Sequence, residues 1–265
     1  MYFDAHSHLH GKEYDLDREE VLARMKEQQV ETIVVGTDRE ESTRAVAFAT
    51  NTQGVWATIG QHPVDREEEI FDVAFYKTLA ESKKVVAIGE CGLDYFRTDP
   101  AKLPLEKERQ KKLFIEQVEL AALLNLPLMI HCRPSIGTMD AHEELVSILK
   151  EYVGRHKAHA LRGNIHFFTG TLAVAREYLE LEFTLSFPGI ITFAHEYDEV
   201  IKEIPATSII SETDSPYATP VPYRGKRNEP TFVIETVKRI AELRGQSLPK
   251  MSEQIRLNVN RVFGI

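Results

Sequence analysis

The chain has 265 residues, 43% of them hydrophobic, and no low-complexity tract, which is enough to bury a large core in one barrel or two smaller domains. With 41 acidic against 32 basic residues its formal charge is −9, which excludes the broad basic surface that binds duplex DNA by counterion release; a polyanion can bind only at a local positive site. The N-terminus lacks the marks of a secretory signal and no run approaches the ~18 apolar residues of a membrane span, so a soluble cytoplasmic protein is expected, with no membrane partner.

Short β-rich runs recur in chain order: MYFDAH at the start, ETIVVGT from Glu31, GVWATIG from Gly54 and KVVAIGE from Lys84, then LPLMIHC from Leu126, GNIHFF from Gly163, EFTLSF from Glu182 and TSIISETD from Thr207. Between them lie stretches of helical period with polar faces, such as DREEVLARMKEQQ, LEKERQKKLFIEQVELAALLN and FVIETVKRIAEL. Strands that alternate with helices imply a parallel sheet covered by helices. Eight such units in a chain of this size predict an α/β fold of the (β/α)8 TIM-barrel type. A doubly wound open sheet is the runner-up, but no GxGxxG follows the first strand. No Pro/Gly/Ser-rich linker divides the chain, so residues 1–265 are expected to form a single domain. The proline-rich PYATPVPYRGKRNEP reads as a long loop after the eighth strand. Cys91 and Cys132 suggest neither a disulfide scaffold nor a zinc ribbon, and are expected as buried reduced thiols.

In such a barrel chemistry sits at the C-terminal ends of the strands. The first run ends in His6 and His8, the third is followed by His62, and the fourth ends in Glu90. The fifth ends in His131, the sixth carries His166, and the eighth is followed by Asp214. Strand alternation points Asp4, His6 and His8 to one face, so two imidazoles of one strand can grip one ion. Each residue also has a plainer reading. An HxH pair suits two partly buried polar side chains, Glu90 can reach solvent or an arginine, His131 can be a core histidine, and Asp214 or Asp94 can serve a turn. All of these being true together at matching strand ends is improbable. His10, next to Gly11, reads as a loop residue. Four histidines and two carboxylates exceed one tetrahedral zinc site and suit two divalent ions about 3.5–4 Å apart, bridged by one carboxylate.

The pieces DAHSHLH, GQHP, AIGECGLDY, MIHCR, HFFTG, FPGIITF, ETDSPY and RNEP give the chain its likeness to a family. Over essentially its full length it resembles the TatD-like metal-dependent deoxyribonucleases, a branch of the amidohydrolase-type barrels. The resemblance implies a hydrolase site, often one acting on DNA phosphodiesters. It places the first metal on His6, His8, Glu90 and Asp214, and the second on Glu90, His131 and His166. Glu90 takes the place of the modified lysine that bridges the metals in the wider superfamily. One departure is Phe167, where the family commonly has Cys after the strand-six histidine; alternation is expected to turn its side chain away from the metal.

Glu90, Asp214 and His62 are the residues expected to carry the chemistry. His62 completes neither ligand set, so it is assigned to the scissile phosphate as donor or proton relay. Arg133 is expected to grip a phosphate oxygen. Arg97, Arg224, Tyr95 and Tyr223 are rim candidates for phosphates and unstacked bases. Lys226 reads as solvated, and Asn228 and Glu229 as braces of the loop. The function expected is a 3′–5′ exonuclease acting on single-stranded or frayed DNA ends, monomeric, with Mg2+, Zn2+ or Mn2+ as metal. A metal-dependent amidase, lactonase or phosphoesterase for a small molecule is the alternative, because fold does not fix function. The complete ligand set argues against a barrel that has lost catalysis.

Overall fold

A computed structural model describes residues 1–64, 69–99, 101–155 and 161–265. Its strands are β1 (Tyr2–Ser7), β2 (Val30–Val35), β3 (Val55–Ile59), β4 (Val85–Asp94), β5 (Leu128–Arg133), β6 (Gly163–His166), β7 (Thr184–Phe187) and β8 (Ile209–Ser211). They pair in parallel and in sequence order, each with the next. Around them run α1 (Arg18–Gln28), α2 (Arg39–Thr50), α3 (Val73–Leu79), α4 (Leu103–Leu124), α5 (Asp140–Arg155), α6 (Leu172–Glu180), α7 (Asp198–Glu203), α8 (Val233–Leu243) and α9 (Leu248–Phe263). The eight expected strands and the TIM-barrel class are therefore present.

Local chemistry starts and stops the helices. Asp38, Asp72 and Thr171 accept the backbone N–H three residues on, capping α2, α3 and α6. Gln29 and Asn125 adopt left-handed conformations that end α1 and α4.

Alternation along β1 sends Phe3 and Ala5 into the apolar core and leaves Asp4 and His6 on the opposite side, also fully buried. Asp4 closes the barrel seam chemically, since Thr213 donates to it from both its backbone N–H and its hydroxyl, each at 2.7 Å. Burial nevertheless pushes the Asp4 carboxyl well up. Ser211 Oγ also donates to Phe3 O, and Ser7 bridges to Ser215. Helix α9, which was not among the expected helical stretches, packs on β1 and β8, and its Asn258 side chain donates to Ala206 O and Ile209 O. Among the described residues no helix is long and apolar enough to cross a membrane.

Candidate metal centre

Glu90 reaches the mouth of the barrel because β4 is bulged. Residues 88 to 91 of β4 span the same stretch as 128 to 130 of β5, so β4 carries one extra residue. Such a bulge re-aims a side chain. Glycine makes it possible: a Cβ on Gly89 would lie 2.3 Å from Met129 O, and one on Gly92 2.0 Å from His131 O. Asp214, beyond β8, sits in the left-handed region at φ +53°, its N–H bonded to His6 O at 2.9 Å.

The Glu90 carboxylate, only 4% exposed, is surrounded by imidazoles. Its Oε2 lies 3.5 Å from His6 Nε2. Its Oε1 lies 2.9 Å from His131 Nδ1, 3.6 Å from His62 Nε2 and 3.7 Å from His166 Nε2. Asp214 Oδ1 is 3.6 Å from His8 Nε2 and 3.8 Å from His6 Nε2. Burial opposes ionisation of Glu90, yet the imidazoles, those of His62 and His6 foremost, hold its carboxyl well below the usual carboxylate range. The His6 and His166 rings stack at 3.4 Å between centroids.

These residues fit a divalent ion. Donors on one tetrahedral ion with bonds near 2.0–2.1 Å stand about 3.3 Å apart, within the spread of spacings seen here. His6 is fully buried and neither of its ring nitrogens has a hydrogen-bond partner, which is costly for a group with nothing to bind. His6, His8 and Glu90 can hold one ion together, and His62, Glu90 and His131 another. The structure thus brings His6, His131 and His166 of the expected ligands to the Glu90 carboxylate, with His8 and Asp214 beside His6, but it groups His131 with His62 more closely than with His166.

Hydrogen bonding separates the roles within that second group. Val64 N–H donates to His62 Nδ1 at 3.3 Å, which places the proton of the neutral ring on Nε2, facing Glu90. In that tautomer His62 would point a donor into the site rather than a lone pair. His131 is oriented the other way, with Nε2 held by Asp94 Oδ2 at 3.1 Å and Nδ1 turned to Glu90.

Sequence reasoning missed the corresponding partner of His166, which is Glu212. Its Oε1 lies 2.9 Å from His166 Nδ1, off the line of a straight hydrogen bond. Against the lowering effect of burial, Glu212 and Glu90 raise the His166 pKa to about 9. Glu212 also accepts from Phe167 N–H and the Ser186 hydroxyl, one on each oxygen, which fixes its carboxylate beside His166. It therefore reads as a support of His166, although it lies near enough to His6 and His166 to share an ion. The signal was available: Glu212 and Asp214 are two residues apart in SETD, as His6 and His8 are in DAHSH. Glu212→Gln is expected to weaken divalent-metal affinity roughly 10- to 100-fold, read by chelator competition. Unchanged affinity would remove Glu212 from this role.

The centre opens into a cleft of about 870 Å³, lined by His8, His62, Glu90, His131, His166 and Asp214 with Arg44, Arg97, Arg133, Phe167, Tyr197 and Tyr217 nearby. Arg133 lies there as expected, its guanidinium 3.8 Å from the Phe96 ring centroid. Several rim expectations need correction. Tyr95 is 2% exposed and donates its hydroxyl to Glu144 at 2.6 Å, because the chain just beyond β4, held by Tyr95 N–H to Arg133 O at 2.8 Å, turns this ring between α4 and α5. Arg224 lies over the Phe193 ring and donates to Thr219 O, which commits it to its own loop and leaves it outside the cleft lining. Tyr223 stacks on Phe232 at 3.9 Å. Phe167 is not turned away: β6 ends at His166, Phe167 adopts φ +48°, and its ring meets that of His166 edge-on in the cleft. Asn228 and Glu229 do brace the loop, through Thr213 O and through a two-pronged pair with Arg24. His10 pairs with Glu41 at 3.0 Å and stays out of the centre.

The family model for TatD-related DNases matches residues 3–264. The chain is 44% identical over 271 residues to the uncharacterized metal-dependent hydrolase YabD of Bacillus subtilis, with all of both chains covered. It is 33% identical over 273 residues to the 3′-5′ ssDNA/RNA exonuclease TatD of Pantoea ananatis, covering 99% of each. Among solved structures, YJJV, a TatD homolog from Escherichia coli K12, superposes with a TM-score of 0.88 at 29% identity, covering 100% of this chain and 98% of that one.

Proposed function

The chain belongs to the TatD-related DNase family of metal-dependent hydrolases, and from that premise we propose that it is a 3′–5′ exonuclease releasing mononucleotides from single-stranded or frayed DNA ends with two divalent ions. The observation that carries the reading is the Glu90 carboxylate, whose Oε2 faces His6 while its Oε1 faces His131 and His166. One carboxylate presenting its two oxygens to two sets of donors is the arrangement of a bridge. A relative of nearly equal length carries the name of a 3′-5′ ssDNA/RNA exonuclease.

His6, His8 and Asp214 with Glu90 would hold one ion, and Glu90, His131 and His166 the other. Bound there, the pair supplies a nucleophile at neutral pH and neutralises charge on a phosphate. Asp94 and Glu212 orient the imidazoles that do the holding. His62 presents its Nε2–H to the same space and is placed to donate to a phosphate oxygen or relay a proton. Arg133, on the cleft wall, grips a further phosphate oxygen. The centre lies deep, with His6 fully buried, so a free or frayed strand end enters more readily than an internal bond of a rigid duplex. An imidazole-rich shell favours Zn, Mn, Ni or Co, while excess Mg2+ is expected to support turnover.

The test is purified protein, stripped with chelator and reloaded with metal, on 3′- and 5′-labelled single strands and on a covalently closed duplex circle. Mononucleotides from the 3′ end, little cutting of the circle, and rates that fall as salt rises are expected. Preferential cutting of the circle overturns end entry. Rapid hydrolysis of a small ester beside no cleavage of any nucleic acid favours the small-molecule hydrolase instead.

A further inference from the structure

An unpaired strand end offers its bases as well as its phosphates, and the two tyrosines that the sequence suggested for stacking are both committed elsewhere. Tyr217 lines the cleft, is 60% exposed, and its ring stands 6.2 Å from that of His8 at 68°. An aromatic ring so exposed, beside a side chain that faces the metal centre, contributes little to the core.

The ring is carried on a fixed piece of backbone. Tyr217 N–H donates to Asp214 O at 2.8 Å, and its carbonyl accepts from Asn228 Nδ2 at 2.5 Å. Asn228 is itself pinned, since Tyr14 donates to its carbonyl at 2.7 Å. Two-pronged pairs of Arg24 with Glu229 and Arg227 with Asp17 tie the same loop to α1 and the residue before it. Much of the entropy cost of ordering a contact residue is thus met before any ligand arrives.

We infer that Tyr217 is the platform on which the nucleobase beside the scissile phosphate stacks, so that the site selects unpaired nucleic-acid ends over phosphodiesters lacking a base. The inference rests on the exonuclease reading above. It follows from position: Tyr217 lies three residues after Asp214 and against His8, so a phosphate at the centre brings its own nucleoside to this ring, with Arg133 on the wall of the same cleft. Every base has a π face, so such a platform tolerates sequence.

The test compares wild type with Tyr217→Ala, Tyr217→Phe and Tyr217→Trp on two oligonucleotides, one ordinary and one whose two 3′-terminal nucleotides are abasic. On the ordinary end Tyr217→Ala is expected to lower kcat/KM roughly 5- to 150-fold, chiefly through KM, which corresponds to about 1–3 kcal/mol per stacked base. Phe and Trp should restore it, and on the abasic end all four proteins should be equal. Anisotropy of a labelled strand with the chelator-treated protein should show the same loss of affinity for Tyr217→Ala, at unchanged metal content after reloading. Equal kcat/KM for wild type and Tyr217→Ala on the ordinary end overturns this inference alone, as does an equal loss on both ends, which would make the ring a support of His8. A wild type that cuts no oligonucleotide overturns the exonuclease reading and this inference together.

Discussion

Glu90→Gln is expected to abolish hydrolysis and to reduce tightly held divalent metal to at most one ion per chain. Glutamine keeps the size and shape of the side chain but removes the negative charge and puts an NH2 group where one oxygen stood. That oxygen is either the one 3.5 Å from His6 or the one 2.9 Å from His131, so one of the two sets loses its shared donor whichever way the amide turns. Asp214, the other carboxylate of the expected ligand set, stands beside His6 and His8, on the opposite side from His131. The His131 and His166 side would then lose the charge of the shared carboxylate, which offsets that of its ion. Metal analysis after dialysis, beside circular dichroism to show an intact barrel, reads the outcome. Two ions per chain with activity intact would end the shared-bridge account.

The barrel was legible in the sequence because its strands announce themselves locally, as apolar runs bounded by polar and glycine-containing turns. The residues around the centre were legible because strand ends of this fold face one another, so a histidine or carboxylate at each end needs no further contact information. What stayed hidden depends on pairing between distant segments. The bulge that swings Glu90 inward exists only as a mismatch of β4 against β5. Tyr95 was expected at the rim as an aromatic able to take an unstacked base, but α4 and α5 enclose it once they are packed. Phe167 escaped the alternation rule through one left-handed residue. Glu212 was within reach of the reasoning that found the HxH pair, whereas Tyr217 was not, because only the fold brings the β8 loop against His8.

His62→Ala is expected to keep its metal and lose most of its turnover, with kcat falling roughly 10²- to 10⁴-fold, the usual worth of a positioned acid or base. Two observations pull against each other here. His62 stands as near Glu90 Oε1 as His166 does, at 3.6 Å against 3.7 Å, and together with Glu90 and His131 it is close enough to share an ion. Distance alone would make it a ligand. Hydrogen bonding argues the other way: Val64 N–H donating to Nδ1 favours the tautomer with hydrogen on Nε2, and an N–H cannot also give a lone pair to a metal. His166 differs, since Glu212 lies beside its Nδ1 and leaves Nε2 toward Glu90. Losing the ligand His166 should therefore cost metal, and losing the donor His62 should cost rate. Metal content and kcat measured side by side on His62→Ala and His166→Ala separate the two, and metal lost from His62→Ala to the same degree as from His166→Ala would make His62 a ligand.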